Sequence, residues 1–199
     1  MFCKAAKIPP CDPLFLRFLD PWYSPEERTR KGSATTRGDV LTIEEYRGRS
    51  VDDICALNEK GRLEVAHRVE TMLKAARGDW PRYLAVSGEI DLTWIEAFDR
   101  HYNRKRIKEV IDRSDPGDFS NDYLVICCEF GAVLGHVMMA ECPRLRLLPD
   151  WPYWESAIFD TKSGSVVPVF HWAIKKMSDY GWDDGFTAKV KVCLDMMNR

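Results

Sequence analysis

The stretch from Tyr123 to Ala140 constrains this chain more than any other part of it. It is eighteen residues long and mostly apolar, yet it carries Glu129, His136, Gly131 and Gly135. A single membrane span needs about 20 apolar residues with few charges. The expectation is therefore a buried helix, about Ser120 to Glu141, at the centre of a folded domain, with no membrane partner. On a helix, Glu129 and His136 fall within about 20° of each other and about 10 Å apart at their roots. Gly131 and Gly135 lie almost opposite them. Two interior glycines cost about 2 kcal/mol in helix propensity relative to alanine, and a close approach of another backbone is the simplest reason to keep them. Both glycines are expected to be buried, with Gly135→Leu destabilising by more than about 2 kcal/mol.

The polar stripe on that helix admits two readings. Glu129 and His136 could line a pocket, with the glutamate as base or metal ligand, or they could be a satisfied buried pair or a side open to water. A spacing of seven does not clamp one ion as an i, i+4 pair does, so no metal or cofactor is expected. Cysteines 3, 11, 55, 127, 128, 142 and 193 form no C-x-x-C and read as reduced, buried structural thiols. The segment Met1 to Pro10 has no apolar run of signal-peptide length. Together these point to the cytoplasm.

Elsewhere the pattern is helical. Residues 1–38, rich in proline and arginine, read as a partly extended N-terminal arm whose apolar knot Leu14–Leu19 can dock as a short helix. Residues 39–199 read as one globular domain. Asp39 to Tyr46 is a weak edge strand. Ser50 caps a helix that runs to Gly78, with a break near Asn58 and Gly61, and Pro81 to Val86 is a connector. Leu92, Ile95, Phe98, Tyr102, Ile107 and Ile111 keep the spacing that buries one helix face. After Trp151, two short strands flank Asp160–Gly164, where Gly164 supplies the positive φ of a hairpin loop. Two helices follow, the last with Phe186, Val190 and Leu194 as its buried row. The fold class is α+β, a mostly helical single domain with a small late β-hairpin packed on the glycine-bearing helix.

For function, the exclusions are clearer than the positives. A net charge of −2 gives no general pull toward nucleic acid. The basic run Arg100 to Lys108 spreads around its helix among acidic neighbours, so it reads as a solvated surface rather than a phosphate track. The sequence contains no P-loop, no G-x-S-x-G, no G-x-G-x-x-G and no H-E-x-x-H. Between Trp151 and Phe186 lie nine aromatic side chains, a quarter of that window against 12% overall. Some must be core, but Trp172 shares its face with Lys176 and Asp179, and exposed tryptophan is a common interface anchor. Lys175 and Lys176 sit four and three residues before Asp179, so at least one of them is expected in an ordinary surface ion pair.

Phe119–Leu124, Glu129–Gly135, Trp151–Ser156 and Val169–Tyr180 together resemble an uncharacterised bacterial family, a domain of unknown function, over roughly residues 40–197. That resemblance implies a bacterial cytosolic protein and carries over no catalytic residue. The layout is also similar to some bacterial immunity-type proteins, which favours binding by analogy. The leading expectation is a non-enzymatic binding or adaptor protein with a protein partner or a second copy of itself. Trp151, Trp154, Trp172 and Trp182 would share an exposed patch of several hundred Å². The alternative is a small-molecule or hydrolytic site between the glycine helix and the hairpin, with Glu129, His136 and His171 converging in a pocket.

Overall fold

The computed structural model describes residues 6–31 and 40–197. Nine helices are described: α1 (Cys11–Phe18), α2 (Pro25–Lys31), α3 (Val51–Ile54), α4 (Glu59–Leu84), α5 (Leu92–His101), α6 (Arg104–Arg113), α7 (Asp122–Glu141), α8 (Val169–Lys176) and α9 (Phe186–Met197). Four strands, β1 (Leu41–Thr42), β2 (Leu145–Leu148), β3 (Ala157–Asp160) and β4 (Ser165–Val167), form one antiparallel sheet in the order β1-β4-β3-β2. The domain is thus mostly helical, with a small sheet packed on α7.

Helix α7 is the axle. Asn121 caps it, its side chain accepting from the Leu124 amide at 2.9 Å. The helix is long and apolar enough to cross a membrane, and 72% of its apolar window is buried inside the fold. It packs against α4 on one side, and against α8 and the sheet on the other. The glycines explain the second contact. A Cβ built on Gly131 would come within 2.4 Å of Phe170 Cδ1, and one on Gly135 within 3.1 Å of Ile158 Cδ1. Both glycines are buried, as the spacing predicts.

Gly164 turns the β3–β4 hairpin at φ +76°, and any Cβ there would meet the Ile43 carbonyl at 2.5 Å. The same loop is therefore pressed onto the chain leading out of β1. The late hairpin grows into a four-stranded sheet because β2 and β1 add to its two edges. Ser50 and Asp53 form a capping box on α3, and Asn58 starts α4 afresh. Helix α4 runs past Gly78 and through Pro81 to Leu84, so most of the expected connector is helical and only Ala85 and Val86 lie beyond it. Trp80 and Leu84, both buried, anchor that extension to the core. The long periodic stretch after Asp91 breaks at Tyr102–Asn103, where the Asn103 side chain accepts from the Arg106 amide and starts α6.

Within the expected arm, Leu14, Phe15, Phe18 and Leu19 are fully buried in the main core, and residues 1–5 and 32–38 lie outside those described. Of the cysteines described, Cys55 is half-buried and the other five are buried, all as free thiols. Cys3 lies outside the described residues.

Candidate functional site

The tryptophans do not form an exposed patch. Trp154 and Trp172 are 2% and 1% exposed, and Trp151 and Trp182 are half-buried against the core. Aromatic packing is the reason. Trp154 meets Tyr153 and Tyr23 edge-on, and Trp172 meets Phe186 edge-on. The enrichment seen in the sequence is spent on the interior.

Glu129, His136 and His171 do not converge. The glycine face of α7 takes α8 and β3, so Glu129, nearly opposite, must look toward α4. There its Oε2 accepts from the Trp80 indole N–H at 2.9 Å. It lines a cleft of about 320 Å³ together with Tyr83, His101, Tyr102 and Arg106. The cleft lies among α4, α5, α6 and α7, away from the hairpin. His136 is half-buried, and burial followed by the charge of Arg77 lowers its pKa. His171 is 1% exposed, stacked on Phe15 with Nε2 3.3 Å from Glu155 Oε2. Tyr23 donates its hydroxyl to Glu155 and accepts from the Trp154 indole at 3.0 Å. His171 thus belongs to a buried network that fastens the N-terminal segment to the body.

Burial of the Glu129 carboxyl pushes its pKa from 4.5 up to about 7, partly opposed by the Trp80 hydrogen bond. Between those values the native state holds more proton than the unfolded chain, so stability falls as pH rises through this window. Glu129→Gln keeps an acceptor for Trp80 and removes the charge. The variant is expected to exceed the wild type by about 2 kcal/mol at pH 8, with the difference gone below pH 4.5. Urea unfolding across that range checks this, and a variant less stable than wild type at pH 8 contradicts it.

Lys175 makes the expected surface ion pair, with Asp184 as its partner at 3.6 Å, while Asp179 is taken by Arg104. Lys176 is buried and pairs with Asp99 at 2.8 Å. Along the basic run, Arg100, Lys105 and Lys108 pair with acidic residues one helical turn away. Arg106 lies against His101 at 2.8 Å.

A larger cleft, of about 660 Å³, lies between α9 and the sheet edge. One wall is apolar and comes from α9: Val192, Cys193, Met196 and Met197, with Trp172 beside them. Val192 and Met196 are 59% and 71% exposed, an i, i+4 pair left open to water. Burial pushes the Cys193 thiol up to about 11, so near neutral pH it lines the wall as an uncharged group. The other wall is polar, with Arg47, Arg144, Asp160, Lys162, Ser163 and Ser165 from the hairpin loop and its neighbours. Burial would raise the Asp160 pKa, but hydrogen bonds from Ser163, Arg144 and the Lys162 amide hold it below its ordinary value. Asp160 is ionised and taken up by Arg144 at 2.8 Å. Lys189, also lining the cleft, holds its ammonium 4.5 Å from the centre of the Trp172 ring.

Of this lining only Trp172 is among the residues expected to bind; Cys193 reads from the sequence as a structural thiol and Asp160 as part of the hairpin turn. The Val192–Met196 pair is the signal that was available. A surface helix with one buried row does not need a second apolar pair on its outer side.

Fold and clefts together define an α+β domain with a concave cleft under its last helix, one wall apolar and the other lined by charged and polar side chains. No family model matches the chain, nor does any curated protein or solved structure.

Proposed function

We propose that this chain is a binding protein and that the cleft between α9 and the sheet edge is its ligand site. The observation that carries this reading is the open apolar wall. Val192 and Met196 stand in water beside a concavity of about 660 Å³, within the size range of small-molecule pockets. Exposed, contiguous apolar surface of this kind marks binding sites in folded domains, and methionine adapts its shape to what it meets. This moves the binding surface expected at the four tryptophans onto α9, with Trp172 shared by both.

A neutral fluorescent probe, N-phenyl-1-naphthylamine, tests it. The wild-type chain is expected to take up the probe saturably with a blue-shifted rise in emission. Val192→Asp combined with Met196→Asp, at two exposed positions, should abolish the uptake while leaving the unfolding midpoint within a few degrees of wild type. Uptake unchanged in that variant, or no uptake by the wild type, overturns the proposal.

A further inference from the structure

We infer that the occupant of the α9 cleft is a single-chain amphiphile with an anionic head. The inference rests on the binding reading above and deepens it. On the polar wall three cationic side chains, Arg47, Arg144 and Lys162, line the cleft beside one carboxylate, Asp160. That carboxylate is already bound by Arg144 through two contacts, at 2.8 and 3.3 Å. Lys162 has no ion pair among the described residues, and Arg47 is held by an exposed glutamate, Glu44, at 3.0 Å. The polar wall therefore has positive charge to offer a ligand.

The two walls are chemically distinct and come from different elements. The polar wall's cations come from the β3–β4 loop (Lys162), the chain after β1 (Arg47) and the residue before β2 (Arg144), and the exposed apolar surface comes from α9. A ligand that satisfies both carries its charge at one end and hydrocarbon at the other. A neutral apolar molecule would leave the cations unused, and a small inorganic anion would leave Val192 and Met196 in water. The concave shape favours a single dispersed molecule over a flat lipid surface.

The test is competition against bound N-phenyl-1-naphthylamine on the full chain, with decanoate, decyl phosphate and decanol each kept below its aggregation threshold. Decanoate and decyl phosphate should displace the probe at about tenfold lower concentration than decanol. The advantage should shrink at high salt, where exposed charges are screened. Arg47→Glu combined with Lys162→Glu should reduce it to less than threefold without changing uptake of the neutral probe. Decanol competing as well as decanoate overturns the inference while leaving the binding reading intact. Failure of the probe to bind at all overturns both. Sedimentation with anionic phospholipid vesicles, without displacement by decanoate, would assign the surface to a membrane and also overturn the inference.

Discussion

Gly131→Leu is expected to abolish the native fold, and even Gly131→Ala to destabilise it by more than about 2 kcal/mol. A single methyl at this position would sit 2.4 Å from Phe170 Cδ1 and 2.9 Å from the Phe170 backbone Cα. The ring could turn away only into a packed interior, since Phe170 is 2% exposed, and the backbone could move only by carrying α8 off α7. Gly135 provides the contrast. Its nearest neighbour is the far end of the Ile158 side chain, at 3.1 Å, which can yield by a small rotation. Replacing glycine by alanine inside a helix also returns about 1 kcal/mol of propensity. Gly135→Ala is therefore expected within about 1 kcal/mol of wild type, whereas the larger Gly135→Leu remains destabilising. Urea unfolding of the two alanine variants separates the positions. Equal stabilities would mean that α8 does not rest on α7 as described.

The second large effect is expected at Asp99. Lys176 is buried, with its ammonium 2.8 Å from Asp99 Oδ1 and 3.1 Å from the Trp182 carbonyl that accepts from it. Asp99 Oδ2 also accepts from the Thr187 amide at 3.0 Å, inside the first turn of α9. Asp99→Ala thus removes the partner of a buried cation and a cap of α9 in one step. The first loss alone costs about 3–5 kcal/mol, and the second about 1 kcal/mol. Combining Asp99→Asn with Lys176→Met removes both charges while leaving an acceptor for Thr187, and should recover most of the loss. A cost for Asp99→Ala below about 1 kcal/mol would contradict the buried pair. So would a double variant no more stable than Asp99→Ala.

These two sites show what was legible in the residues and what was not. The core helix could be read because an apolar run interrupted by two glycines four apart has few uses other than close packing. The hairpin could be read because Gly164 stands where a reversed chain needs positive φ. Strand β2 was missed because Leu145–Leu148 follows Pro143 as a short run without alternation, and its strand character comes from pairing with β3. Lys176 reads as a surface residue because it shares its helix face with Asp179 and follows Lys175. Its partner is 77 positions away, a relation that local periodicity does not carry. The aromatic segment was misjudged for a similar reason. Enrichment in tryptophan and tyrosine reports large contact area, but whether that area faces the core or water depends on Tyr23 and Phe15, which arrive from the other end of the chain. Glu129 was correctly singled out as an expensive group. Its neighbours were wrong because the glycine face, not the glutamate face, receives the hairpin.

The central claim, that α9 forms one wall of a binding cleft, is most directly tested by nuclear magnetic resonance of the chain carrying carbon-13 methionine methyls, titrated with decanoate. Saturable shifts are expected at Met196 and Met197, which line the cleft. Met138 and Met177 are fully buried in the core, and Met72 lines a separate cleft beside Tyr153; all three should stay in place. Shifts centred on Met72, or none at Met196 while other methyls respond, would contradict it.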